Sequence, residues 1–338
     1  MYSVLSWDWT RSTAEAEWTN PNSVTEPQGS VIIKSLNSVN KGTQMAKVVT
    51  SKMLMALQSE VTSKTLEVEA VKKDLSKETD AEIMDRLRDR FEILDDMTRA
   101  VKSGKVRAMI VTGPPGVGKS HGVETVLSKH DVFANVAQDE KLKKYEVVKG
   151  AMSALGLYSK LYHYKDAKNI LVFDDCDSVL LDDLSLNILK AALDTSSKRM
   201  IHWNTDSHLL RREGVPDSFE FKGGAIFITN IKFDHVKSKK LRDHLEALES
   251  RCHYLDLTID TEREKILRIE QVVNECGMLD KYEFEPYQAM EVVDFVKANV
   301  HRLRELSLRT VLKVADLKHG FPDKWKAVAE VTCMRNSR

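Results

Sequence analysis

The sequence predicts a three-layer αβα sandwich on a parallel sheet, followed by a small all-α domain and preceded by a helical or irregular N-terminal region. Five short apolar runs, VRAMIVTG, YEVVKG, NILVFDD, AIFITN and CHYLDLTI, alternate with segments of helical period between 104 and 258. Being apolar at nearly every position, they read as strands covered on both faces, the condition of a parallel sheet flanked by helices. After Asp260 the strand signals stop and only helical patterns continue.

Composition narrows the class. With 338 residues, 42% of them apolar and 30% charged, the chain can bury a sizeable core and reads as a globular protein. Lys+Arg and Asp+Glu both number 51, so no global field draws the molecule toward nucleic acid or an anionic membrane. The four cysteines, Cys176, Cys252, Cys276 and Cys333, form no C-x-x-C pair, which predicts reduced thiols in a cytoplasmic setting without a zinc site or disulfide framework. No run approaches the roughly 18 apolar residues that a membrane span requires. The opening MYSVLSWDWTRSTAEAEW is too polar for a secretory signal and too acidic for a transit peptide.

In chain order, residues 1–45 are polar and broken by Pro21, Pro27 and Gly29, and are expected to form a flexible arm. Residues 46–103 turn helical in AKVVTSKMLMALQSEV and DAEIMDRLRDRFEILDDMTRAVKSG. Ile83, Leu87, Ile93, Leu94 and Met97 form the predicted apolar stripe, Asp80 the cap and Gly104 the terminator. The α/β core is expected over 104–258 and the helical domain over 259–338, from TEREKILRIEQVVNECG, EPYQAMEVVDFVKAN, HRLRELSLRTVLKVADLKHG and DKWKAVAEVTCM.

The stretch MIVTGPPGVGKSHG places G-x-x-x-x-G-K-[ST] between the first strand and a helix. Its residues Gly113, Pro114, Pro115, Gly116, Val117, Gly118, Lys119, Ser120 and His121 are the predicted nucleotide-binding set. Glycines let successive amides turn inward onto phosphate oxygens, and the helix that follows adds the positive end of its dipole. Lys119 is expected to reach the β- and γ-phosphates of ATP, and Ser120 to place its hydroxyl on Mg²⁺.

NILVFDDCDS ends a strand in Asp174 and Asp175. Asp174 is the expected second Mg²⁺ ligand, and Asp175 the residue that polarises the attacking water. Asp177 is a less suited substitute, because the chain is expected to bend before it. GGAIFITN ends in Thr229 and Asn230, and Asn230 is placed to meet the water or the γ-phosphate from a neighbouring strand.

The succession GPPGVGKS, ILVFDD, IFITN, ALESRC and a helical region with RLREL resembles the AAA+ ATPases over about 80–320. The resemblance implies that Asn230 is the first sensor and Arg251 an arginine finger reaching a neighbouring subunit's γ-phosphate. It implies Arg304 as the lid's second sensor, with Arg309 as the alternative. It further implies Mg²⁺-dependent ATP hydrolysis at subunit interfaces of a ring or partial ring, most often a hexamer. Many related hydrolases carry Glu where this chain has Asp175, so slow turnover would fit. The compact plan, with a single ATPase module, suits a bacterium or a phage.

The load is left open by the residues. The long connection SSKRMIHWNTDSHLLRREGVPDSFEFKGG is expected to form a hairpin with HLLRREGVPD near its tip. On one reading Lys198, Arg199, Arg211 and Arg212 meet phosphates and Trp203 stacks on a base; on the other the hairpin packs locally. Tyr158, Tyr162 and Tyr164 either line a channel or belong to the core. A nucleic-acid motor for replication, recombination or packaging, a protein-remodelling ATPase and a slowly hydrolysing switch therefore all fit these motifs.

Overall fold

The computed structural model describes residues 78–129, 136 and 144–335. The predicted arm over 1–45 and the helical segment AKVVTSKMLMALQSEV lie outside the described residues. The described residues all fall within one compact unit.

Five strands make a parallel sheet: β1 (Ala108–Thr112), β2 (Tyr145–Lys149), β3 (Ile170–Asp174), β6 (Gly224–Thr229) and β7 (His253–Asp256), in the spatial order β2-β3-β6-β1-β7. The five apolar runs of the sequence are these five strands. β1, β3 and β6 are buried at every residue, while the edge strands β2 and β7 are not. Alternation along the strands divides the core. Ile110, Phe173 and Phe227 face α3 (Ala154–His163), α5 (Asp183–Ala192) and α7 (Lys239–Glu249), whereas Met109, Val172 and Ile226 face α1 (Asp80–Lys102) and α2 (Lys119–Ser128). A short helix α4 (Asp177–Leu181) follows β3.

Helix α1 begins with a capping box in which Thr79 and Glu82 satisfy each other's amides, so Thr79 is the cap and Asp80 the first helical residue. Gly104 follows its last turn with φ +76°, the left-handed stop expected of it. Ile83, Leu87 and Leu94 are buried, but Ile93 is 48% exposed, so the apolar stripe continues through Thr98 and Val101 instead.

The long connection does form a hairpin. β4 (Met200–His202) pairs antiparallel with β5 (Ser218–Glu220), and α6 (His208–Arg212) lies between them. Its aromatic side chains turn inward: Trp203 lies against Tyr158 with ring centroids 5.5 Å apart, and Phe219 meets Tyr158 and Tyr162 edge-on at 5.1 and 5.3 Å. Tyr158 is fully buried and donates to the Pro216 carbonyl, so the tyrosine stripe belongs to the core.

The C-terminal domain packs α8 (Glu262–Glu275), α9 (Pro286–Ala298), α10 (Leu308–Gly320) and α11 (Trp325–Cys333) around Val292, Val296, Val311, Val314 and Trp325. The segment HRLRELSLR is not one helix, since α10 starts only at Leu308. Leu303, 2% exposed, forms an isolated antiparallel bridge with Met334, and this burial holds residues 301–307 out of helical geometry.

Candidate active site

A parallel sheet delivers the C-terminal ends of its strands to one edge, and register sets which tips meet. Thr112 lies opposite Thr229, and Asp174 lies between Ile228 on one side and Lys149 on the other. The loop 113–118 and the tips of β3 and β6 therefore converge where the strand order reverses, the usual ligand position in open α/β sheets.

The loop is shaped by glycine. Gly113 has φ +147°, and a Cβ there would stand 2.8 Å from the Leu257 carbonyl oxygen. Gly116 has φ +70°, and a Cβ there would stand 2.7 Å from Cβ of Ser307, while its carbonyl accepts from the Leu308 amide at 2.9 Å. Among the described residues, the amides of Gly116, Val117 and Gly118 donate to no protein acceptor, the state of a backbone cradle built for an anion. His121 stands exposed in the first turn of α2.

Lys119 is 6% exposed and spends all three ammonium protons: on the Gly113 carbonyl at 2.7 Å, the Pro114 carbonyl at 2.9 Å and Asn230 Oδ1 at 2.8 Å. Burial pushes its pKa down to about 8 against the opposing pull of Asp175, and the nearby Arg309 cation pushes the same way as burial. Asn230 is a two-way connector, because its Nδ2 donates to Asp175 Oδ1 at 2.9 Å. Asp175 is exposed, has φ +51° and is pinned by its amide donating to the Ile228 carbonyl at 3.0 Å. A non-glycine residue held in the left-handed region is strained, and such strain collects at functional positions.

Ser120 Oγ donates to Asp174 Oδ1 at 2.7 Å, so the two expected metal ligands already face each other. Among the described residues no three His, Cys, Asp or Glu side chains cluster as a self-contained metal site. The pair suits a hard cation that keeps most of its waters and takes its remaining oxygens from phosphate. Asp177 accepts from Thr229 Oγ1 at 2.7 Å and is thus tied to the tip of β6.

The remaining arginines separate. Arg304 lies outside this group: it is exposed, and its Nε donates to the Met334 carbonyl at 2.9 Å. Arg309, in the first turn of α10, has its Cγ 3.6 Å from where a Gly116 Cβ would be. Arg251 precedes β7 and so lies at the opposite edge of the sheet. Its Nη1 donates to the Ala247 carbonyl at 2.6 Å, and its Nε is buried without a partner.

Two further side chains border the site. Lys149, the tip of β2, lies 3.3 Å from Asp174 Oδ2 and 2.8 Å from Glu124. Its signal was available, because it ends a strand of the same sheet. Arg268 of α8 stands behind Gly118, and nothing in a helical pattern marks it.

No family model matches the chain. NtrX from Brucella abortus, solved in complex with ADP, superposes with a TM-score of 0.38 and 15% identity over 80% of this chain, which spans 60% of that one. Among the described residues no helix is long and apolar enough to cross a membrane. Over 263 residues the chain is 35% identical to an uncharacterized 36.7 kDa protein from the nrdC-mobD intergenic region of Enterobacteria phage T4, covering 77% of this chain and 78% of that protein. The chain belongs to the family of that phage T4 protein.

Proposed function

We propose that the protein is an ATPase of the AAA+ type that binds Mg·ATP at the 113–121 loop and hydrolyses it. The single observation that supports this reading is the connected chain Lys119–Asn230–Asp175 beside the Ser120–Asp174 pair at one sheet edge. Ser120 and Asp174 would hold Mg²⁺, which supplies charge neutralisation across the β- and γ-phosphates. Lys119 exchanges its bonds to the loop carbonyls for phosphate oxygens. Asp175 accepts the proton of the attacking water, and Asn230 holds that carboxylate in place from the adjoining strand. Arg251, remote from its own loop, acts on the site of a neighbouring subunit in a ring or partial ring, with a hexamer as the favoured assembly.

The energy is spent on a macromolecule, in nucleic-acid replication, recombination or packaging inside the cytoplasm of a bacterial or phage-infected cell. A protein client is the second reading, and the hairpin favours it. Trp203 is packed on Tyr158, Arg211 pairs with Asp206, and Arg199 is bound to the carbonyls of Ala192 and Gly223, which leaves few groups for bases and phosphates. Phosphate release measured alone, with single-stranded DNA, with duplex DNA and with unfolded protein separates the two. Stimulation by DNA that disappears at high salt supports the nucleic-acid reading; stimulation by unfolded protein alone replaces it. A basal rate of zero under every condition overturns hydrolysis itself.

A further inference from the structure

The tip of β2 carries a cation to which the hydrolytic reading gives no task. Parallel register sets Lys149 directly opposite Asp174, and its ammonium lies 3.3 Å from Asp174 Oδ2 and 2.8 Å from Glu124 Oε1. Glu124 stands one turn after Ser120 on α2, so the two side chains leave one face of that helix toward the tips of β2 and β3. Ser120 Oγ donates to the other oxygen of the same carboxylate, Asp174 Oδ1, at 2.7 Å. Four side chains, Ser120, Asp174, Lys149 and Glu124, are thus linked in a ring that one turn of α2 closes. Lys119 spends its protons on Gly113, Pro114 and Asn230 instead. Among the described residues Lys149 is the only cation within ion-pair distance of Asp174.

Burial differs within the ring. The Asp174 side chain is 7% exposed, whereas those of Lys149 and Glu124 are 59% and 40% exposed. A buried carboxylate calls for a counter-charge, and here a lysine reaches in from the surface to supply it. Without that ammonium, two carboxylates and a hydroxyl would surround one point, an oxygen set of the kind that a hard divalent cation takes. The ammonium stands where such an ion would be drawn, and like charges a few ångströms apart oppose each other strongly in a partly buried setting. A triphosphate changes this balance, because it adds negative charge of its own and brings an ion already held by its oxygens.

Resting on the metal reading above, we propose that Lys149 is a built-in counter-cation that holds Asp174 and Glu124 against a free divalent ion, so that metal enters this site only in company with a triphosphate. Glu124 is its anchor and keeps the ammonium at the tip of β2 when Asp174 is shared with an ion. Charge, and not shape, then fixes the order of arrival.

The test titrates Mn²⁺ alone, without nucleotide, into the full chain and its Lys149→Met, Lys149→Gln and Lys149→Met/Asp174→Asn variants, read by the electron paramagnetic resonance of the free ion. Wild type is expected to bind Mn²⁺ no more tightly than about millimolar. Lys149→Met should bind it at least about tenfold more tightly, and adding Asp174→Asn should remove the gain. Lys149→Gln, which also removes the charge, should match Lys149→Met and decides the matter if that variant does not fold. An unchanged Mn²⁺ affinity in the Lys149 variants, a gain that survives Asp174→Asn, or tight Mn²⁺ binding by wild type overturns the proposal. A second titration, of ATP with Mg²⁺ and with a chelator, keeps the metal reading separate. If Asp174→Asn leaves the ratio of those two affinities unchanged, the metal reading falls and the proposal with it. Equal weakening of ATP by Lys149→Met under both conditions makes Lys149 a phosphate contact and overturns the proposal alone.

Discussion

The two edges of the parallel sheet hold their charges in opposite ways. At the C-terminal edge, side chains satisfy one another: Lys119 with Asn230, Asn230 with Asp175, Ser120 with Asp174, Lys149 with Asp174 and Glu124. At the N-terminal edge, the arginines before β1 and β7 are tied to backbone carbonyls. Arg107 donates to the Asp194 carbonyl and Arg251 to the Ala247 carbonyl. A carbonyl holds a guanidinium in place without cancelling its charge. The first edge ties its cations to carboxylate and amide oxygens and suits a ligand that brings its own cation; at the second, Arg107 and Arg251 form no ion pair among the described residues, which suits them to an anion presented from outside.

The strongest way to break this contrast is at Arg251. If the N-terminal edge serves a neighbouring subunit, Arg251→Ala lowers kcat about a thousandfold while ATP affinity stays unchanged, as measured by phosphate release and calorimetry. Mixing it with Asp175→Asn should then restore turnover at hybrid interfaces. A mixture no more active than its parts would place the finger elsewhere. Asp175→Asn alone comes next. Asn tolerates the left-handed backbone of this position, so the fold should persist while single-turnover hydrolysis falls about a hundredfold or more. Hydrolysis at the wild-type rate would remove Asp175 from the role of base.

Much of this edge was legible because its residues lie at strand tips. A parallel sheet converts "last residue of an apolar run" into a place, and so the sequence alone puts Asp174, Asp175 and Asn230 at one sheet edge. The C-terminal domain was less legible for the same physical reason turned around. HRLRELSLR has helical spacing throughout, yet burial of Leu303 against Met334 breaks the helix, puts Arg304 at the C-terminal end of α11 and leaves Arg309 at the loop. Arg268 was invisible, because a buried arginine on a helix is marked by its neighbours in space, here Phe91 and Gly118, and not by its period.

Two smaller effects sharpen the comparison further. Lys119 titrates near pH 8 before phosphate arrives, and an anionic ligand raises that value. Below pH 8 the ammonium is already present and affinity is flat; above it, binding must also take up a proton, and ATP affinity should fall by up to about tenfold per unit. Affinity constant from pH 7 to 10 would show that burial does not hold the Lys119 ammonium down to about 8 in the free protein. Smaller again, Arg309→Ala should weaken ATP about threefold to tenfold through its exposed charge near the loop. Arg304→Ala should leave affinity alone and cost about 1 kcal/mol through its bond to Met334, read as a lowered Tm. The reverse pattern would return the sensor role to Arg304.

The central claim is that the amides and ammonium group around residues 113–119 hold a triphosphate. Calorimetric titration of Mg·ATP into the folded full chain and into Lys119→Ala tests it most directly. Saturable heat at about one site per chain, lost or weakened about a hundredfold in the variant, is the predicted result. Wild-type protein that gives no heat and no competition up to millimolar nucleotide, or a variant that binds as tightly as wild type, would contradict it.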